Sequence, residues 1–593
     1  MLENKERMTF MSLKKDAVAA PFVQVEEDEN GVLKNITFTN DDNFNFAYDV
    51  VDKLAKKCPD KIAMIHISKE GKERAFTFYE MSRYSSKVAN YLQYLGIRKG
   101  DHVMLVLKRH YQFWFAILAL HKIGAVVIPA TNLLLKSDFE YRFKTGKVDA
   151  ILCTADGSVS REVDKATRNY RNLKVKIMVG ASRKGWHSFN KEVKYFSSHF
   201  RRPRGEHAIH GDDPSIMFFT SGTTSYPKIT THNFKYPLGH YVTAKYWHQV
   251  DPEGIHFAIS DTGWGKALWG KIYGQWLCEA AVFTYDFDDF DAKEILRMIE
   301  RYQITTFCAP PTVYRVMVHM KLDQYDLSSL QNVTTAGEAL NPEIFEKFKA
   351  KTGLTLMEGF GQTETTLIIG NLVGATPRPG SMGKPTPQYD VKVMLPDGTL
   401  AEPEEEGEIV IRTKENIPDG LFMEYYGDEE KTNAAWYDGY YHTGDTAYYD
   451  EDGYLWYVGR TDDVIKSSGY RIGPFEIENE IMKLPYVLEC AVTPVPDPIR
   501  GQAIKASIVL TNGQEASDKL KNEIMKSLKK NIASYKWPKI LDFTKELPKT
   551  ISGKIRRKEI REIDEVDEDE NIEENGTMEN NENEVNNESE SNE

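Results

Sequence analysis

Apolar and polar positions along this chain follow two alternating rhythms. His102-Val103-Met104-Leu105-Val106-Leu107 is an apolar run of strand length, Tyr111 to Lys122 reads as a helix, and Ala125-Val126-Val127-Ile128 is the next strand after a Gly124 stop. The unit recurs later: Ala292, Ile295, Leu296 and Ile299 share one helical face, and Ile304 to Ala309 forms a strand ended by Pro310-Pro311. Repeated strand–helix–strand units predict an α/β fold with mostly parallel sheets covered by helices. From about Tyr389 the pattern shortens, and the turns Pro396-Asp397-Gly398 and Glu451-Asp452-Gly453 predict hairpins in a β-rich subdomain. Beyond Gly459-Arg460-Thr461-Asp462-Asp463 a compact α+β segment begins. The expected division is a large N-terminal domain over residues 40–461, with its β-rich part at about 389–461, and a small C-terminal domain over 462–562. A polar lead-in precedes residue 40, and an acidic, Asn-rich tail over 563–593 is expected to be disordered.

Charge changes the picture only once it is located. The formal net charge of −14 is matched by fourteen Asp and Glu, with no Lys or Arg, in residues 564–593. The rest of the chain is formally neutral and offers no signal for nucleic acid or an anionic membrane surface. The five cysteines are scattered, without a C-x-x-C pair or metal-ligand spacing, which fits a reducing compartment. The apolar stretch Phe113 to Pro129 is interrupted by His121-Lys122 and Gly124 and is too short to span a bilayer. Glu3, Glu6 and Asp16 among the N-terminal lysines do not resemble a signal or transit peptide, so a cytoplasmic protein is expected.

The first candidate for chemistry is Thr220-Ser221-Gly222-Thr223-Thr224-Ser225-Tyr226-Pro227-Lys228, which follows the apolar run Ile216 to Phe219. Hydroxyls around a glycine, then a lysine, suit a loop that wraps a polyphosphate through backbone N–H groups, side-chain donors and one positive charge. It is not the G-x-x-x-x-G-K-[ST] loop, because Lys228 is preceded by Pro227 and followed by Ile229. Taken alone, the stretch is equally a solvent-exposed Ser/Thr-rich turn.

Six further motifs follow in order: Ala336-Gly-Glu-Ala-Leu340, Glu358-Gly-Phe-Gly-Gln-Thr-Glu364, Tyr441-His-Thr-Gly-Asp445, Gly459-Arg-Thr-Asp-Asp463, Ser468-Gly-Tyr-Arg-Ile472 and Pro548-Lys-Thr-Ile-Ser-Gly-Lys554. Together with the loop they resemble the adenylate-forming superfamily of acyl-CoA synthetases, peptide-synthetase adenylation domains and luciferases, over roughly residues 40 to 560. The resemblance implies an ATP site made by Thr220, Ser221, Gly222, Thr223, Thr224 and Lys228 around the phosphates, with Thr363 beside them. Gly337, Glu338 and Ala339 on one side and Glu358, Gly359 and Phe360 on the other would wall the adenine. Asp445 would accept from the ribose hydroxyls, and Arg460 and Arg471 would reach ribose and phosphate. Glu364 would hold Mg2+, a hard cation that needs one carboxylate when phosphate oxygens and water complete its shell. Lys554 would bridge the attacking carboxylate and the α-phosphate, and Asp462 would be the hinge of the small domain.

The resemblance further implies an acid-thiol ligase that forms an acyl-adenylate from ATP and a carboxylic acid and passes the acyl group to coenzyme A, within fatty acid metabolism. Ser468, Gly469, Arg500 and Lys536 are the candidate coenzyme A contacts. Asp261-Thr-Gly-Trp-Gly-Lys-Ala-Leu-Trp269 with Tyr273-Gly-Gln-Trp276 is most similar to medium-chain synthetases, and Trp264 and Lys266 are the candidate pocket lining. Gly361 stands where acetyl-CoA synthetases carry a tryptophan, so an open pocket for medium-chain, branched or aromatic acids is expected. An acetyl- or propionyl-CoA synthetase, an acid:carrier-protein ligase, a luciferase-like oxygenase and a nucleotide sensor without catalysis stay as alternatives. A homo-oligomer is compatible with all of them. Ser225 and Ile229 depart from the glycines many relatives have there.

Overall fold

The computed structural model describes residues 17–220, 227–467, 470–497, 500–550 and 554–564. Ser221, Gly222, Thr223, Thr224, Ser225, Ser468, Gly469 and the tail beyond residue 564 lie outside the described residues.

Two large sheets carry the N-terminal four-fifths of the chain. In the first, the strands His102–Val106, Val126–Pro129, Ala150–Thr154 and Val175–Val179 run parallel, and Pro214–Thr220 joins the edge at Val126–Pro129. The chain then reverses, so that Lys228–Asn233 pairs antiparallel with Pro214–Thr220 and Glu424–Tyr425 adds beyond it. The second sheet has a parallel half, Ile62–Ile67, Ala281–Tyr285, Ile255–Ala258, Thr306–Ala309, Asn332–Thr335 and Leu356–Phe360.

That second sheet does not stop where the β-rich texture begins. Leu356–Phe360 pairs with Ile369–Gly370, which pairs with Ser381–Pro385, which pairs with Leu455–Arg460. The hairpins expected around Asp397-Gly398 and Asp452-Gly453 are present, and they extend the parallel half into one sheet of fourteen strands. The subdomain is separate in sequence pattern but continuous in hydrogen bonding.

Helix Gln112–Ile123 explains how the two sheets meet. All twelve of its residues are buried, as expected for a helix that is apolar all round and packed on every side. Gly124 ends it in the left-handed region at φ 84°. One core unites Val103, Leu105 and Val127 of the first sheet with Ala63, Met64 and Val282 of the second through Phe113, Trp114 and Ile117. Among the described residues no helix is long and apolar enough to cross a membrane. The chain enters this core before residue 40: Val18, Phe22 and Leu33 are buried around the hairpin Val23–Glu27/Leu33–Phe38.

Beyond Arg460 the chain builds a five-stranded sheet in which Val487–Asp497 and Gly501–Leu510 form the long central pair. Helices Pro474–Met482 and Asp518–Asn531 cover it, with Ile477, Ile481, Ile504, Ile508, Ile524 and Leu528 as its own core. Arg557 pairs with the buried Glu478 through two 2.8 Å contacts, and Arg561 donates to Asp463 at 2.8 Å, fastening the segment after Lys554 to this body.

Candidate active site

The two sheets deliver their chemistry at one place. Thr220 and Lys228 face each other as the last pair of the antiparallel ladder, so the hydroxyl-rich loop is the connection of a hairpin. Ile229 is paired with Phe219 and buried, so this departure from glycine is taken up by the core. The Lys228 ammonium lies 4.1 Å from the centre of the Tyr425 ring, and the Tyr425 hydroxyl donates to Glu364 Oε1 at 2.9 Å. Burial lowers the Lys228 pKa, opposed by the Glu364 charge. One tyrosine thus links the expected phosphate lysine to the expected magnesium carboxylate, and no sequence motif pointed to it.

Thr363 is positioned from behind. His232 Nε2 lies 2.7 Å from the Thr363 carbonyl oxygen, and burial lowers its pKa to about 4. The imidazole is therefore neutral near pH 7 and donates its single N–H to that carbonyl.

Gln362 ties the second and third motifs together. Its Nε2 donates to Asp445 Oδ2 at 2.5 Å and to the Thr443 carbonyl at 2.8 Å, while the Tyr441 hydroxyl donates to its Oε1 at 2.6 Å. Asp445 also accepts from Tyr457 at 3.0 Å and lies 3.5 Å from Arg460. Burial raises its pKa, and Arg460, Gln362 and Tyr457 oppose that rise. Arg460 is paired along the sheet with Asp445, so ladder register sets this ion pair. Asp462 is exposed, with Arg460 Nε 3.5 Å from its Oδ1.

The backbone walls expected for the adenine are tied together by one side chain. Gly337, Glu338 and Ala339 follow strand Asn332–Thr335, and Phe360 is half-buried with its ring 6.2 Å from that of Tyr457. Glu358, however, turns its side chain into the core and accepts from the Leu340 N–H at 3.0 Å. Burial pushes its carboxyl up to about 8. It fastens one wall to the other; Gly359 and Phe360 remain at the edge.

The acyl side needs a correction. An ideal Cβ on Gly361 would lie 2.5 Å from Trp269 Cη2 and 2.3 Å from the Thr366 carbonyl oxygen. The space beside Gly361 is therefore filled by a tryptophan supplied from helix Gly265–Gly270, and glycine is required there for that ring to approach. Trp264 caps the start of the same helix, half-buried, and Lys266 donates to the Ala336 carbonyl at 2.5 Å.

The small domain contributes Lys554. It is exposed; the Thr550 N–H donates to its carbonyl at 2.7 Å and its own N–H donates to Thr550 Oγ1 at 3.1 Å. Its charge bears on both Asp445 and Lys266, as the weakest of the influences on each. Arg471 lies in strand Tyr470–Ile472, and its side chain is outside what is described.

The coenzyme A candidates are rearranged. Lys536 pairs with Glu476, and Arg500 lies 3.2 Å from Asp497. Arg500 also lines a cavity of about 90 Å³ with Ser467, Ser534, Trp537 and Lys539. Tyr470 and Tyr535 stack beside it with centroids 4.3 Å apart. Lys539, rather than Lys536, shares that cavity with Arg500. Tandem tyrosines at 470 and 535 were not legible as partners, being sixty-five residues apart in sequence.

Among the described residues no group of three His, Cys, Asp or Glu could hold a metal. A lone buried carboxylate whose Oε1 takes a tyrosine hydroxyl fits a cation carried by phosphate oxygens and water.

Comparison with known proteins agrees with this arrangement. The AMP-binding enzyme model matches residues 51–426, and the AMP-binding enzyme C-terminal domain matches residues 476–554. Human acyl-coenzyme A synthetase ACSM3, mitochondrial, is 40% identical over 528 residues, covering 87% of this chain and 89% of the relative. Human ACSM5, also named as a mitochondrial acyl-coenzyme A synthetase, is 38% identical over 528 residues, 87% of this chain and 90% of the relative. Among solved structures, the anthranilate CoA ligase AuaEII in complex with anthranoyl-AMP superposes with a TM-score of 0.81 at 27% identity, covering 88% of this chain and 98% of that one. On its motifs, its site and these matches, the chain belongs to the AMP-binding enzyme family.

Proposed function

We propose that this protein is an AMP-forming acyl-CoA synthetase for medium-chain, branched or aromatic carboxylic acids. The observation that carries the reading is convergence: Lys228, Tyr425 and Glu364 on one side, and Gln362, Asp445 and Arg460 on the other, with the charge of Lys554 from the small domain bearing on Asp445. In the first half-reaction a substrate carboxylate oxygen attacks the α-phosphorus of ATP, and pyrophosphate leaves with the electron pair of the broken P–O bond. Lys228 offsets charge on the phosphates, Asp445 fixes the ribose, and Lys554 offsets repulsion between the two anions. Glu364 would hold Mg2+, which when bound neutralises phosphate charge.

In the second half-reaction the domain 462–562 turns about Asp462 relative to 40–461, withdraws Lys554 and presents Ser468 and Gly469. A thiol then displaces AMP from the acyl-adenylate. Arg500, Lys539 and the Tyr470–Tyr535 stack are the groups on that domain suited to a phosphorylated adenosine, one end of coenzyme A. The names of the matched relatives, and the anthranoyl-AMP in the superposed ligase, support this choice of substrate class. Free thiols at Cys58 and Cys278 fit a reducing compartment, and the cytosol is proposed; the compared relatives are named as mitochondrial, so fractionation of the tagged protein decides between them.

The test is release of AMP and pyrophosphate from MgATP with acids from C2 to C12, linear, branched and aromatic, with and without coenzyme A. Coenzyme A-dependent AMP and an acyl-CoA mass with C4–C8, branched or aromatic acids is the expected result. Preference for acetate or propionate alone would overturn the substrate class. Pyrophosphate with no acyl-CoA would overturn the acceptor and favour an acid:carrier-protein ligase.

A further inference from the structure

Lys266 is a lysine in an unusual setting. It sits on the short helix Gly265–Gly270, largely inside the protein, and donates to the Ala336 carbonyl at 2.5 Å. No carboxylate lies within 4 Å of its ammonium among the described residues. Burial lowers its pKa, and the Glu338 charge opposes that without touching the ammonium; an ammonium so placed is costly, and the cost points to an anion that arrives with the substrate.

Its position identifies that anion. A Cβ built on Gly337, whose φ is 108°, would lie 3.7 Å from Lys266 Nζ, so the ammonium borders the open space over Gly337. The neighbouring Gly265 lies against Thr363, where a built Cβ would meet Thr363 Cγ2 at 3.6 Å and Oγ1 at 3.9 Å. The Lys554 charge bears on Lys266, as it does on Asp445. In the proposed function the substrate carboxyl group lies between the acyl side at Trp269 and the phosphate side at Thr363, and Lys266 stands on the helix that borders both.

Resting on the proposed function, we infer that Lys266 is a second catalytic lysine, the resident cation of the acyl carboxyl group in both half-reactions. During adenylation it shares the substrate carboxylate with Lys554. Before transfer, Lys554 leaves with the small domain and Lys266, on the large domain, stays. The thiol gives its proton to solvent, its sulfur attacks the carbonyl carbon, and the carbonyl π pair moves to oxygen. Lys266 donates to that oxyanion. The pair then returns, the bond from carbonyl carbon to phosphate oxygen breaks, and AMP leaves with the bonding electrons. The transfer step depends on a fixed donor because the mobile one has gone.

The half-reactions are separable in the full-length protein: ATP–pyrophosphate exchange reports adenylation, and single-turnover conversion of added acyl-adenylate plus coenzyme A reports transfer. For Lys266→Met, transfer is expected to fall about 10²–10³-fold, as for loss of one oxyanion donor, and exchange about tenfold or less. Lys266→Arg, which keeps the charge, is expected to recover most of the transfer rate. A transfer rate within about threefold of wild type in Lys266→Met overturns the inference. So does equal loss in both steps with a raised KM for ATP, which would mark Lys266 as a brace for the Ala336–Leu340 wall. If Lys266→Met does not fold, Lys266→Gln is judged by the same two rates. A wild-type protein that makes no acyl-CoA removes the proposed function itself, whereas an active wild type with an unaffected Lys266→Met removes this inference alone.

Discussion

Tyr425 carries two tasks in one side chain, its ring under the Lys228 ammonium and its hydroxyl on Glu364. Phenylalanine would keep the first and remove the second. A hydrogen bond to a charged group contributes about 1.5–3 kcal/mol, so Tyr425→Phe is expected to raise KM for MgATP roughly tenfold to a hundredfold with little change in thermal stability, measured by initial rates across ATP and magnesium concentrations. Glu358 makes the opposite prediction, large for stability. Its carboxyl titrates at about 8 in the folded protein, pushed up by burial, against 4.5 ordinarily. Between those values the folded state keeps a proton that the unfolded state has lost. Stability therefore falls as pH rises from about 4.5 to 8 and levels off above. Glu358→Gln is expected to flatten that slope and to exceed wild type in Tm at pH 8, read by thermal melts from pH 5 to 9. A variant with the wild-type slope would place the titration elsewhere. Lys228, Glu364, Asp445 and Lys554 were legible because each sits in a motif of its own. Tyr425 and Trp269 were not, because their roles come from what the fold sets beside them.

Helix Gly265–Gly270 carries two site residues within six, with Lys266 near its start and Trp269 near its end. Trp269 lies against Gly361, and in the proposed function it would set how deep an acyl chain can go. Trp269→Phe would recover the volume of a fused ring. One methylene is worth about 1–3 kcal/mol in an apolar pocket, so the preferred chain is expected to lengthen by one or two carbons, with kcat/KM for those acids rising about tenfold over the wild-type optimum. An unchanged chain-length profile would detach Trp269 from the acyl chain. The sequence showed the helical and strand rhythms of the two sheets because their strands are long and uniformly apolar. It did not show that Ser381–Pro385 and Ile369–Gly370 join the β-rich part to the parallel half, because two-residue pairings leave no periodicity to read.

At the scale of the molecule, Lys554 and Asp445 belong to bodies with separate cores, and in the proposed mechanism only one half-reaction requires them together. Lys554→Ala is expected to lower ATP–pyrophosphate exchange by at least a hundredfold, in line with loss of one charge-stabilising donor, while transfer from added acyl-adenylate to coenzyme A stays within about threefold. Equal losses in both steps would sink the division of labour between the two domains. Its contrast with Lys266→Met, which should slow transfer far more than adenylation, makes the pair diagnostic.

The fourteen-stranded sheet has a mechanical consequence. Its strand Leu455–Arg460 ends two residues before Asp462, and the small domain that follows still leans on it through Gly473 against Val458 and Phe475 against Tyr457. In the proposed mechanism the hinge at Asp462 stands where the broad ladder gives out, as at the root of a cantilever, and those contacts part before the hundred residues beyond it swing as a lever arm. A small rotation of backbone dihedrals at the root would then become a large displacement at Lys554, while Asp445, Gln362 and Lys266 keep their places on the large domain. Such an enzyme exchanges one chemistry for another by moving its tip, without disturbing the bench on which the nucleotide is held.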